Sequence, residues 1–167
     1  NSAKLNRIPI RVGVNSGSLR GRQSPVTGGQ PARMVKNALE YIRLIEGFGF
    51  NNMVISLKAS NILDTVEAYR RMAGVCCYPF HIGATATGFP QEGLIKSSIA
   101  IGALLLEGIG DTIRVSLTDK PQEEIKAARC ILEAVGLRRF GPEIISCPTC
   151  GRCEVDLIKI VKDLENK

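Results

Sequence analysis

Tryptophan is absent, histidine occurs once, and aromatic residues make up 5% of the 167 positions. A chain so poor in rings must build its core from aliphatic side chains, which suits strand-and-helix packing better than an aromatic-rich β-sandwich. Long apolar runs are missing too. The longest, Ile99 to Leu106, is interrupted by Gly102 and falls far short of the roughly 20 residues that cross a bilayer, so no membrane partner is expected. The opening Asn1-Ser2-Ala3-Lys4 lacks both an initiator methionine and a signal-peptide pattern. Low-complexity and single-sign charge blocks are lacking as well, which excludes disordered-tail, collagen-like and repetitive classes.

What is present is globular composition, 44% hydrophobic and 23% charged, at the length of one ordinary domain. Lys and Arg number 22 against 16 Asp and Glu, a net charge of +6, which favours an anionic partner without naming one. The basic residues are scattered, with no aromatic interleaving and no recognisable nucleic-acid module, so no nucleic-acid partner is expected. Six cysteines occur, at 76, 77, 130, 147, 150 and 153. With no secretory pattern they read as reduced cytosolic thiols. Cys130 falls in a helical pattern and is expected in the core; Cys76 and Cys77 are read as structural.

Strand signals alternate with helical patterns along the chain. Strands are expected at 8–15, 53–59, 79–85 and 112–118, and helices at about 32–47, 61–73, 93–106 and 121–137. In the last helix Ile125, Ala128, Leu132 and Val135 recur at spacings of three and four, predicting one apolar face. Pro121, Glu123 and Glu124 are start signals and Gly136 a stop. The Gly- and Pro-rich stretch 20–31 reads as a mobile loop. Such alternation implies parallel strands joined by right-handed crossovers.

Each strand is apolar on one face and small or polar on the other. Ile10, Val12 and Val14 oppose Arg11, Gly13 and Asn15; Met53, Ile55 and Leu57 oppose Val54, Ser56 and Lys58. Phe80, Ile82 and Ala84 oppose His81, Gly83 and Thr85; Ile113, Val115 and Leu117 oppose Arg114, Ser116 and Thr118. A sheet covered on both faces would be nearly continuously apolar. The pattern instead suits a closed (β/α)8 barrel with a polar mouth, whose functional residues lie at the C-terminal strand ends, here Asn15, Lys58, Thr85 and Ser116. Arg11, Lys58 and Arg114 put three cations on one face with nothing acidic beside them. That favours a bound phosphate or diphosphate; the alternative is that each pairs with a carboxylate from elsewhere. His81 on the same face reads either as a ligand contact or as a hydrogen-bonded interior residue. A full barrel takes about 250 residues, so four βα units make half of one, leaving open edges that a second copy or another chain would cover.

Four segments extend this reading. They are Ile8 to Leu19 (IPIRVGVNSGSL), Lys58-Ala59-Ser60, Gly108 to Leu117 (GIGDTIRVSL) and Ser146 to Arg152 (SCPTCGR). In this order they resemble the hydroxymethylbutenyl diphosphate synthase family of isoprenoid biosynthesis, over about 7–164. The resemblance implies an α/β chain: the second half of a TIM barrel over 1–140, then the truncated start of a [4Fe-4S] cluster domain over 141–167. It implies reductive dehydration of 2-C-methyl-D-erythritol 2,4-cyclodiphosphate, with electrons from ferredoxin or flavodoxin, in a homodimer or larger assembly of the cytoplasm or a plastid. Arg11, Asn15, Lys58, Arg114 and Ser116 match the family's diphosphate-binding positions, and Cys147 and Cys150 its first two cluster ligands. Its remaining ligands have no counterpart before Lys167. Cys153 is an addition, read as a surface residue at a helix start. In Gly83-Ala84-Thr85-Ala86-Thr87-Gly88 the family's glutamate position is Ala86, which cannot transfer protons, so no catalytic residue is assigned. The chain is therefore expected to be a central fragment without turnover. Two other readings are an assembly or anion-binding half-barrel and a small cysteine metal module. A pterin-type synthase is a fourth, opposed by the Cys-Pro-Thr-Cys motif.

Overall fold

In the computed structural model, residues 2–19, 27–85 and 88–165 are described. A short helix α1 (Ser2–Leu5) leads into β1 (Ile10–Asn15) and α2 (Gly29–Gly47). β2 (Met53–Lys58) is followed by α3 (Ile62–Ala73), β3 (His81–Ile82) by α4 (Pro90–Leu106), and β4 (Thr112–Ile113) by α5 (Pro121–Ala134); α6 (Leu157–Glu165) comes last. The expected alternation is present, but strands three and four shrink to two residues each. Residues 20–26 of the expected loop lie outside the described residues. Its other end is not loop: α2 begins at Gly29, and Pro31 is buried in the first turn.

β1 and β2 pair in parallel from Ile10↔Met53 to Asn15↔Lys58. β3 and β4 pair in parallel through His81↔Thr112 and Ile82↔Ile113. A single parallel bridge, Ile55↔Phe80, joins the two pairs, with the Ile55 amide donating to the Pro79 carbonyl at 2.8 Å. The next rung is interrupted by a side chain. Tyr69 of α3 is fully buried; its hydroxyl accepts from the Leu57 amide at 2.9 Å and donates to the His81 carbonyl at 2.7 Å. Both backbone groups stay satisfied, and the sheet divides there.

The apolar strand face packs under the helices as expected. Met53, Ile55, Leu57 and Ile82 are buried against Met34 and Ala38 of α2, Met72 of α3 and Leu104 of α4. In α5 the buried side chains are Ala127 and Ile131. Ala128, Leu132 and Val135 flank them half-buried, whereas Ile125 is 58% exposed. The true face is thus turned from the expected one, because Ala127 and Ile131 share it at a spacing of four. Cys130, adjacent to Ile131, turns outward and is exposed, contrary to its expected core place. Cys77 is also exposed and Cys76 half-buried. Gly136 does end the helix, at φ +74.

Residues 136–152 are exposed without exception and hold neither helix nor strand. No helix among the described residues is long and apolar enough to cross a membrane.

Candidate functional site

β2 carries the centre of the site because it lies between β1 and β3. On β1 the polar-face residues Arg11, Gly13 and Asn15 are exposed. On β2 the same face is covered, leaving Ser56 3% and Lys58 5% exposed. The end of β2 is pinned by α3. Thr65 Oγ1 donates to the Ala59 carbonyl and accepts from the Ala59 amide, each at 3.2 Å. Asn61 caps that helix by accepting from the Asp64 amide. Lys58 is therefore held at the strand end by its neighbour's backbone.

The register aligns Asn15 with Lys58. Carried on from the Ile55↔Phe80 bridge, it sets Ser56 level with His81 and Lys58 level with Gly83. Arg114 follows β4 directly, its amide donating to the Ile82 carbonyl at 2.9 Å. A Cβ at Gly83 would collide with the Arg114 carbonyl oxygen, so this close approach requires glycine. Ladder pairing stops here, which is why the expected third and fourth strands end early. Thr85 and Ser116 stand beyond the strand ends.

Arg11, Lys58 and Arg114 form one cationic group. Burial, then the guanidinium groups of Arg114 and Arg11, bring the Lys58 ammonium down from 10.5 to about 8. None of the three forms an ion pair with a carboxylate among the described residues; the ion pairs there lie on the helices and the loops that follow them. Asn15 and Ser116 each have partners of their own. Ala86 lies outside the described residues.

His81 belongs to this face, and sequence pattern alone did not settle its role. Its Nδ1 lies 2.8 Å from Thr112 Oγ1, while Nε2 is buried without a hydrogen-bond partner among the described residues. Burial, then Lys58, Arg11 and Arg114, hold the ring down from 6.5 to about 4. The period-two pattern placed His81 on the face; the orphaned nitrogen needed coordinates to find.

Cys147 and Cys150 are exposed, in the irregular segment. Cys153 is half-buried, its Sγ 3.2 Å from the Val155 carbonyl, ahead of α6 rather than at its start. Among the described residues no three His, Cys, Asp or Glu side chains gather as a metal site. Two exposed thiols do not by themselves fit a cluster that takes four thiolate-type ligands.

A model of the GcpE TIM-barrel domain matches residues 1–129. A 4-hydroxy-3-methylbut-2-en-1-yl diphosphate synthase (flavodoxin) of Thermodesulfovibrio yellowstonii is 53% identical over 167 residues, covering 99% of this chain and 48% of that protein. The protein of the same name from Helicobacter hepaticus is 51% identical over 160 residues, 96% of this chain and 45% of its own length. That of Fusobacterium nucleatum is 49% identical over 168 residues, 99% of this chain and 47% of its own. The chain spans about half the length of the curated relatives it matches. It belongs to the GcpE family, with residues 1–129 matching that family's TIM-barrel domain.

Proposed function

We propose that this chain is the diphosphate-holding half of a 4-hydroxy-3-methylbut-2-en-1-yl diphosphate synthase. It comprises the second half of a (β/α)8 barrel over 1–140 and the start of the cluster domain over 141–167. The observation that carries this is the group formed by Arg11, Lys58 and Arg114, which has no carboxylate partner among the described residues and in which burial, then repulsion from Arg114 and Arg11, depresses Lys58. Cations held together without counter-charge are poised for a multiply charged anion. The substrate is the cyclic diphosphate of methylerythritol, reduced by two electrons with loss of water. Asn15, at the end of β1, and Ser116, beyond the end of β4, are suited to hydrogen-bonding the same diphosphate.

Cys147 and Cys150 would supply two thiolates to a [4Fe-4S] cluster, which would deliver the electrons, and the remaining ligands would come from sequence outside this chain. Flavodoxin or ferredoxin is the electron donor; the relatives' names specify flavodoxin. The exposed stretch 136–152 supports a boundary between the two parts. Six free thiols suit a reducing compartment such as the cytoplasm. Among the described residues β1 pairs only with β2, and β4 only with β3, which supports a homodimer or larger assembly that covers these edges.

Calorimetric titration with inorganic pyrophosphate tests the anion site. Binding is expected, weakened about tenfold or more by Arg114→Ala. Undiminished affinity in that variant would remove the basis of the reading. With reduced flavodoxin and the cyclodiphosphate no turnover is expected, and any reproducible conversion would overturn the view that this chain alone is inactive.

A further inference from the structure

His81 sits within the cationic face and leaves one ring nitrogen unused. Buried polar atoms are nearly always partnered, yet Nε2 has no partner among the described residues although Lys58, Arg11 and Arg114 all act on the ring. A lone pair on Nε2 would draw a donor from that group, and none donates to it. The hydrogen therefore belongs on Nε2. Thr112 then donates its hydroxyl proton to Nδ1 across the 2.8 Å contact, since a neutral imidazole has one donor and one acceptor. An unpartnered N–H on a ring that feels three cations is suited to an anion.

We propose that His81 is a further ligand-contacting residue of this site: its Nε2–H donates to an oxygen of the bound diphosphate, and with that anion seated the ring takes up a proton on mild acidification. The proposal rests on the anion reading above. Thr112 permits the change, because a hydroxyl accepts as readily as it donates, and Nδ1–H can then donate to Oγ1.

Every neighbouring element fits this behaviour. β1 contributes Arg11, β2 Lys58 and the hydroxyl of Ser56, β4 Thr112, and the residue after β4 Arg114. From α3, Tyr69 is kept neutral, raised to about 12 chiefly by burial, with its hydroxyl donating to the His81 carbonyl. Asp111 immediately precedes β4, but its Oδ2 accepts from the Phe80 amide at 2.7 Å. Burial, then the cations, hold the unliganded ring near 4. A diphosphate offsets the cations and supplies the acceptor that Nε2 lacks; both changes favour the protonated ring against the burial that remains.

His81 is the chain's one histidine, so a ring 1H–15N spectrum of the intact chain reports it alone. The spectrum is followed from pH 4 to 8 with and without saturating inorganic pyrophosphate. The free protein is expected to show the Nε2–H tautomer, and pyrophosphate to raise the midpoint by about two pH units or more. His81→Gln keeps a donor that cannot be protonated, and His81→Leu keeps none. At pH 8 the first is expected to bind pyrophosphate as the parent does and the second about fivefold more weakly. Only the parent should gain additional affinity on acidification; taking its difference from His81→Gln cancels the titration of pyrophosphate itself. Pyrophosphate binding that leaves the His81 midpoint unmoved overturns this proposal and leaves the anion site standing. No binding by the parent chain overturns both.

Discussion

The hydroxyl of Tyr69 donates to the carbonyl of His81, so a side chain from α3 stands where β2 and β3 would otherwise bond directly. The insertion separates the two strands beside Lys58 and His81. It also fixes the backbone of the histidine from below. Tyr69→Phe leaves the Leu57 amide and the His81 carbonyl without their partner, and is expected to cost about 2–3 kcal/mol in urea unfolding. Pyrophosphate affinity should fall with it. A loss under about 0.5 kcal/mol would mean that the strands close and bond to each other, and that the tyrosine is dispensable as a spacer.

Lys58 is a cost to the unliganded fold. Its folded-state pKa, about 8, lies below the 10.5 of the unfolded chain, so the folded chain binds fewer protons between those values. Stability therefore rises as pH rises from about 8 to 10.5, and the full penalty is present below 8. The histidine acts in the same sense: its value falls from 6.5 to about 4, so stability drops as pH falls through that window. Lys58→Met is expected to stabilise the free chain at pH 7 by roughly 1–3 kcal/mol, after allowing for partial solvent screening, while abolishing pyrophosphate binding. Chemical denaturation of both proteins at pH 7 and 10 checks this. A variant less stable than its parent at pH 7 would mean that Lys58 has an anionic partner in the free chain.

Two glycines on the polar face should respond oppositely to alanine. At Gly83 an added Cβ meets the Arg114 carbonyl oxygen, whereas at Gly13 it meets nothing within 4 Å. Gly83→Ala is expected to cost about 1–3 kcal/mol by forcing backbone shifts and to weaken pyrophosphate binding by moving Arg114. Gly13→Ala should change stability by about 0.5 kcal/mol or less. Paired melts of the two variants decide it; equal costs would show that Arg114 moves aside freely.

Period two read the two faces of each strand from residues alone, and it brought Arg11, Lys58 and Arg114 together on one of them. That worked because alternation is local and every strand keeps it. The lengths of β3 and β4 were not legible, because what ends the ladder is the approach of Gly83 to Arg114 across strands. The insertion of Tyr69 was hidden for the same reason: its hydroxyl serves Leu57 and His81, each 12 residues away. In α5, Ile125 and Ile131 look alike in sequence. Which one is buried depends on how the helix is rotated against its neighbours, and Ile131 is buried while Ile125 is not.

The cysteines separate by environment. Burial raises the Cys76 thiol, while Cys147 and Cys150, like Cys77 and Cys130, are exposed, so these four should be alkylated before Cys76 by a thiolate-selective reagent. Anaerobic reconstitution with iron and sulfide, followed by light scattering and metal analysis, tests what Cys147 and Cys150 can hold. Two thiolates from one chain satisfy half of a four-ligand cluster. The expected result is no retained iron, in a species of dimer mass or larger. About four irons per chain or per dimer would mean instead that Cys153 or the partner chain completes the ligand set. The same sample should then be assayed with reduced flavodoxin, because a complete cluster would remove one of the two grounds for expecting no turnover and leave Ala86 as the other.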